Sequence, residues 1–133
     1  MSNDSLLNRA IVNYNAAAVL LDNLAVDELF VNQIACNIQQ SYEMAIKYLL
    51  ELNGVEYPKT HDIDQLIRIA NSAKVNIFIS DYLDEHSEMI SQWEAKARYV
   101  MGYLVELRKI ERAMADLKDY LEKIKTELSV GGI

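Results

Sequence analysis

Three features of the sequence predict an all-α fold, an up-and-down antiparallel bundle of four to five helices. The 133 residues include one proline and four glycines, and two of those glycines fall in the last three positions. Apolar residues recur every three or four positions over long stretches, which is typical of amphipathic helices. The connections between these stretches are short, so consecutive helices are expected to run antiparallel and to bury their apolar stripes against one another.

Composition and charge narrow the class of protein. Hydrophobic residues make up 51% and charged residues 25% of the chain, as in globular domains, and we expect one domain over residues 1–133 with its core at about 5–128. The chain has 13 basic against 20 acidic side chains, a net charge of −7 and a pI near 4.8. Nonspecific binding to DNA or RNA is therefore not expected, because it needs a clustered basic face.

The sequence also bears on location. Residues 1–5 do not form the basic region before an apolar run that marks a secretory signal. No stretch reaches the roughly 18 apolar residues that cross a bilayer. Cys36 is the single cysteine, so an internal disulfide is excluded. We therefore expect a cytoplasmic protein with no membrane association.

The first two helices are predicted from long apolar periodicities, and each is expected to bury one face. The first carries the apolar series Leu7, Ile11, Tyr14, Ala18, Leu21. The second begins near Asp27, its predicted N-cap, and ends at Gly54. It carries the series Val31, Ala35, Ile38, Tyr42, Ala45, Leu49, Leu52.

The middle of the chain contains most of the loop signal. Residues 54–61 hold the only proline. Asp62 with Gln65 three residues later then predicts a capping box that opens a third, shorter helix. Residues 75–79 alternate like a β-strand, but no partner strand is visible, so we interpret them as a buried connection.

The C-terminal half is expected to contain the remaining helices. Ser80 is a predicted N-cap for a fourth helix through Ile90, and Ser91 with Glu94 is a second capping-box pattern that restarts the helix. Trp93 is expected to anchor the core. The last helix has a strict a/d seam, which we expect to pack inside the chain rather than against a second copy. Its positions are Leu107, Ile110, Met114, Leu117, Leu121, Ile124, Leu128.

Polar residues recur on one face of the second helix, at Cys36, Gln40, Glu43 and Lys47. A Glu four residues before a Lys commonly forms an ion pair on a helix surface. The alternative is that the stripe lines a groove, in which Lys47 provides a positive charge for a phosphate.

Two further pairs are candidates for phosphate binding. His61 and Asp62 stand where the third helix begins, and helix N-termini favour anions; alternatively, Asp62 only caps and His61 packs before it. Arg98 can bind a phosphate in bidentate fashion and Tyr99 can stack on a base. The alternative there is a surface arginine beside a half-buried tyrosine.

Metal and hydrolase signals are weak. The two histidines are far apart, and neither a Cys-x-x-Cys nor a His-Glu-x-x-His pattern occurs, so no zinc site and no cofactor are expected. His86 is expected to be solvated. Glycine-rich phosphate loops and the Gly-x-Ser-x-Gly pattern are also missing from the sequence.

Taken in order, these segments resemble the HEPN domain over roughly residues 5–128. The resemblance is carried by the run of residues 39–47, by Thr60-His61-Asp62-Ile63, and by Ala97-Arg98-Tyr99. It implies a helical bundle, often a homodimer, that is associated with nucleotides or RNA and acts beside a minimal nucleotidyltransferase, in some cases as part of a toxin–antitoxin pair.

The resemblance also implies site residues. Lys47, His61 and Arg98 would bind a nucleotide phosphate, supported by Gln40, Glu43, Asp62 and Tyr99. Ribonuclease members carry an Arg followed, after four to six residues, by a His, and neither histidine of this chain follows an arginine at that spacing. We therefore expect a noncatalytic domain that binds a nucleotide, RNA or a nucleotidyltransferase partner. The alternatives are a metal-independent ribonuclease with a divergent site and a purely structural dimerisation domain.

Overall fold

Six α-helices and one 3₁₀ turn account for most of the chain in a computed structural model, which describes the backbone of residues 2–131 and the side chains of residues 5–128. The described residues contain no β-strand, so the all-α prediction is confirmed. The helices are α1 (Ser2–Asp22), α2 (Phe30–Leu52), α3 (Ile63–Ser72), α4 (Asp81–Ser91), α5 (Trp93–Tyr99) and α6 (Leu107–Gly131), with the 3₁₀ turn at Leu24–Val26.

The central element is α2, which contacts every other helix. The expectation that this helix buries a single face is wrong, because neighbours cover it on several sides. Its buried residues include four polar ones, Asn37, Gln39, Ser41 and Glu43. A polar side chain at such a position needs internal hydrogen-bond partners, since burial without them is costly.

Helix α1 packs along α2 through small residues. Ala10 and Ala17 are fully buried, whereas Leu7 and Ile11 of the predicted stripe are only half-buried, so the contact face is rotated from the one expected. The Ser41 hydroxyl donates a hydrogen bond of 2.6 Å to the Ala10 carbonyl oxygen. The alanines let the two backbones come close enough for this contact.

Helix α6 closes the bundle with its regular seam. Five of the seven predicted seam positions are buried within the chain, while Leu107 is exposed and Leu128 half-buried. The interpretation that the seam packs inside the chain is thus confirmed. The buried five are Ile110, Met114, Leu117, Leu121 and Ile124.

The predicted helix starts have mixed outcomes. Ser80 is the N-cap of α4, and its hydroxyl accepts a 3.0 Å hydrogen bond from the Leu83 N–H. Asp27 does not cap α2, which begins at Phe30; its carboxylate accepts from the Leu29 N–H in the preceding turn. The expected core anchor Trp93 is buried.

The connection over residues 75–79 is irregular and partly buried, as expected. Phe78 adopts a φ of +59° there, and its N–H donates to the Asn76 side chain. This turn seats Ile77 in the core. Among the described residues, none of the helices combines the length and apolarity needed to traverse a bilayer.

Candidate functional site

A polar cleft of about 470 Å³ lies between the start of α3 and the break that separates α4 from α5. It brings together residues that are far apart in the sequence. Its lining residues are Gln39, Lys59, Thr60, His61, Asp62, Ser91, Glu94, Ala95, Arg98 and Tyr99. Four predicted site residues, His61, Asp62, Arg98 and Tyr99, therefore share this polar cleft.

Gln39 of α2 lines the polar cleft and bonds to three of the segments around it. Its amide nitrogen donates to the carbonyl oxygens of Ser91 (2.9 Å) and His61 (3.3 Å), and its amide oxygen accepts from the Glu94 N–H at 2.9 Å. The side chain is 1% exposed, and its bond to Ser91 is buried, while the other two bonds are partly buried. One buried amide thus fixes the end of α4, the start of α5 and the loop before α3.

The predicted capping boxes do not form, because other groups take their places. Asp62 is the N-cap residue of α3, but its side chain makes no capping bond. Ser91 Oγ instead accepts from the Ile63 N–H at 2.8 Å and donates to the Ser87 carbonyl. Gln65 accepts from the Thr60 hydroxyl. The helix does restart after Ser91, as expected, but through Gln39 rather than through a local box.

Glu43 and Lys47 form the expected ion pair, with 2.7 Å between Nζ and Oε2, but not on a helix surface. Glu43 is 1% exposed, and its second oxygen lies 3.0 Å from Nδ1 of His61. A carboxylate only accepts hydrogen bonds, so His61 donates from Nδ1. Nε2 is left to take up a proton when the ring is neutral, or to donate to an anion when the ring is protonated. The imidazole is 74% exposed and lines the polar cleft.

Of the two partners of Glu43, Lys47 is much more buried than His61. Its side chain is 12% exposed, and its ammonium lies 5.6 Å from the centre of the Tyr57 ring. The Tyr57 hydroxyl donates to Glu51, and burial followed by that hydrogen bond raises its pKa. Neither Lys47 nor the half-buried Gln40 is among the residues that line the polar cleft. The proposed phosphate contact of Lys47 stays a prediction.

Arg98 and Tyr99 form the outer wall at the end of α5. An Arg98 Nη lies 2.9 Å from Glu94, one turn earlier, and the Arg98 side chain remains 62% exposed. Tyr99 is 82% exposed, so it is not the half-buried tyrosine of the alternative interpretation. A guanidinium with one of its five donors engaged and an open aromatic face are both available to a ligand.

Cys36, from the same stripe of α2 as Glu43, lies close to this wall. Burial raises the pKa of its thiol, the nearby Glu94 carboxylate raises it further, and Arg98 lowers it. Since the thiolate is the reactive form, Cys36 is a poor nucleophile. Glu94 and Arg98 thus place the Cys36 end of the predicted stripe beside α5.

His86 occupies a different setting. Its Nδ1 lies 2.8 Å from the Tyr82 carbonyl oxygen, and its ring stacks on Tyr82 with 4.4 Å between centroids. The side chain is half-buried, so this histidine, expected to be solvated, is only partly exposed. It contributes nothing to the polar cleft.

Sequence reasoning missed Gln39, the residue on which the geometry of the polar cleft depends most. One signal in the sequence could have found it, because Gln39 lies inside a predicted helix with apolar neighbours on several faces. A glutamine buried in such a place rarely lacks bonds to main-chain groups. It was obscured because the polar stripe through Gln40 was the more regular pattern.

The fold is a helical bundle with a polar cleft at a helix break, lined by charged side chains of both signs. A family model described as the HEPN domain matches residues 4–127. The chain belongs to the HEPN domain family, as the resemblance implied. Comparisons with curated proteins and with solved structures gave no match.

Proposed function

We propose that the polar cleft binds the phosphate of a nucleotide or RNA. The observation that carries this proposal is that His61 and Arg98, which are 37 residues apart in the sequence, line one cleft beside the exposed ring of Tyr99. The cleft volume, about 470 Å³, lies within the range of small-molecule sites.

Three side chains of the polar cleft can donate to an anionic ligand, although the chain has a net charge of −7 and two carboxylates, Asp62 and Glu94, also line the cleft. Lys59, His61 and Arg98 converge on the polar cleft, and Lys59 has no ion-pair partner among residues 5–128. Arg98 can give two parallel N–H donors to a phosphate while it keeps its contact with Glu94. Asp62 and Glu94 add acceptors, which favours a ligand with donors of its own, such as ribose hydroxyls, over inorganic phosphate.

Calorimetric titration with AMP tests the proposal, because the chain provides a matched control. Arg68 pairs with Asp64 one turn away and is 65% exposed, as Arg98 pairs with Glu94 and is 62% exposed. Arg98→Ala is expected to weaken AMP binding by roughly tenfold or more, the loss of a charge-assisted hydrogen bond. Arg68→Ala should bind like the unaltered protein. Equal affinities of the two variants would contradict the proposal.

A second candidate function, metal-independent RNA cleavage, is favoured by the contact between Glu43 and His61. In this reaction Nε2 of His61 takes the proton of a ribose 2′-hydroxyl, whose oxygen attacks the adjacent phosphorus. The bond to the 5′-oxygen breaks, that oxygen takes up a proton from water, a cyclic phosphate remains, and His61 returns its proton to solvent. Arg98 would stabilise the charge that develops on the phosphoryl oxygens.

Incubation of the pure protein with a mixed RNA pool tests cleavage. The second candidate expects products that are lost in His61→Ala and retained in His86→Ala, the histidine outside the polar cleft. Cleavage that persists in both variants, or no cleavage at all, excludes it. Association with a nucleotidyltransferase, which membership of the family suggests, is compatible with either activity.

A further inference from the structure

Arg98 and Tyr99 separate the polar cleft from a second cleft of similar size. This apolar cleft also has a volume of about 470 Å³, and it is lined by Leu29, Val100, Met101 and Leu104 together with the two shared residues. The polar cleft approaches Arg98 and Tyr99 from α3, and the apolar cleft approaches them from the start of α2 and the loop before α6. Two adjoining sites of different chemistry therefore share one wall.

The wall of the apolar cleft is held in place. The Asn32 side chain donates to the Tyr103 carbonyl oxygen at 2.7 Å and accepts from the Val105 N–H at 3.1 Å, which ties the loop to α2. Gly102 adopts a φ of +75°, which suits glycine, and turns the chain there. The cleft is thus preformed, which lowers the cost of ordering it on binding.

The apolar cleft exposes large side chains that would normally be covered. Met101 is 100% exposed, Leu29 60%, Val100 50% and Leu104 43%. Clustered exposed apolar residues mark a binding surface more often than scattered ones do. Because Arg98 and Tyr99 line both clefts, a ligand held in the polar cleft can extend a neighbouring group into the apolar one.

We infer that the two clefts form one site for two consecutive nucleotides of a single strand, with the phosphate in the polar cleft and the neighbouring base in the apolar cleft. This inference rests on the proposed function and adds the ligand class. A base has two apolar faces and a methionine or leucine can cover one, while Tyr99 provides the flat surface on which a base stacks. A duplex would not fit, because its bases are already stacked and paired.

Two probes that differ by one base test the inference. The first is the dinucleotide ApA with 2′-O-methyl groups, which cannot be cleaved through the 2′-oxygen, and the second is the same molecule with one base removed. The unaltered protein is expected to bind ApA more tightly than the abasic probe by about fivefold to a hundredfold, the contribution of one stacked base.

Variants then locate that difference. The double substitution Leu29→Ser with Met101→Ser, at exposed positions of the apolar cleft alone, should reduce ApA affinity to that of the abasic probe and leave the abasic probe unaffected. Val12→Ser with Val19→Ser is the matched control, because both valines are exposed on α1 (64% and 62%) and line neither cleft. It should retain the full difference.

The outcomes separate the two levels of the proposal. Equal binding of both probes to the unaltered protein overturns the two-nucleotide site and leaves the phosphate site standing. Failure of both probes to bind overturns the proposed function and the inference with it. A chain that elutes as a dimer and becomes monomeric in the Leu29/Met101 variant, with unchanged ApA affinity, would show that the apolar cleft is an interface between copies.

Discussion

Two polar networks start from α2 and differ in where they end. On one side, Gln39 and Glu43 bond to main-chain groups and charged partners that lead out to His61 in the polar cleft. On another side, the Tyr42 hydroxyl donates to Asp116 of α6 at 2.6 Å, and the Tyr120 hydroxyl donates to the Ile77 carbonyl oxygen. The first network contains a buried carboxylate, whereas the second is built on two buried phenols.

The difference indicates separate tasks. The tyrosine network joins α2, α6 and the connection before α4, and its rings pack at 5.9 Å between centroids, so it stabilises the bundle. The Gln39 and Glu43 network satisfies helix ends that no regular structure pairs, and it fixes the orientation of an exposed imidazole. Apolar residues could fill the space of the buried Glu43–Lys47 pair without loss of stability. We therefore assign the Glu43 carboxylate to positioning His61 rather than to stabilising the bundle.

The largest effect is expected from the amide that holds the polar cleft. Gln39→Leu keeps a similar volume but removes all three bonds of the side chain, and we expect a loss of about 4 kcal/mol in the free energy of unfolding, because buried main-chain groups are left unpaired. Urea denaturation followed by circular dichroism measures it. Gln40→Leu, one residue on and half-buried, should change stability by less than about 1 kcal/mol. Similar losses in both variants would remove Gln39 from its assigned role.

The second effect concerns the buried charge. Glu43→Gln leaves the Lys47 ammonium unpaired at 12% exposure, and we expect a loss of about 3 kcal/mol. Adding Lys47→Met should recover at least half of it, because the pair is then replaced rather than broken. Glu127→Gln, in an exposed pair with Lys123, should cost less than about 0.5 kcal/mol. A double variant no more stable than Glu43→Gln would contradict this account.

The smallest effect belongs to the tyrosine network and depends on pH. Burial, followed by the nearby Asp116 carboxylate, raises the pKa of Tyr42, and burial does the same for Tyr120. A pKa raised by folding gives stability that is complete below about pH 10, the ordinary tyrosine value, and is lost as the pH rises above it. Tyr42→Phe should cost about 1 kcal/mol at pH 7 and flatten that alkaline decline.

Unfolding curves between pH 7 and pH 11 provide the measurement for Tyr42. Tyr99→Phe is the control, because it removes a hydroxyl from an exposed ring, and it should leave the stability at pH 7 within about 0.5 kcal/mol. An alkaline decline as steep in Tyr42→Phe as in the unaltered protein would assign the pH dependence to other groups.

Periodicity predicted the helices because it reports a property of each segment alone. The seam of α6 and the cap at Ser80 needed no knowledge of their neighbours. The burial of Glu43 could not be predicted in this way, since spacing shows which residues share a face of α2 and not which helices cover that face. Gln39 bonds to residues 22, 52 and 55 positions away, so its partners exist only once the chain has folded.

Helix ends show the same limit. Asp62 and Ser91 have the residue types of capping boxes, but the Ile63 N–H finds Ser91 Oγ from another helix. A local pattern predicts that an N–H needs an acceptor, and tertiary packing decides which acceptor it receives.

The amide protons of Ile63 and Glu94 are held by side chains, Ser91 Oγ and Gln39 Oε1, rather than by the main-chain ladder of a helix. Movement of α3 away from α4 would free the Ile63 proton, and movement of α5 away from α2 would free the Glu94 proton, while the interiors of those helices stayed closed. Their exchange with solvent deuterium would report directly on opening of the polar cleft. Hydrogen exchange at these two amides would thus measure how often the polar cleft opens, without any added probe.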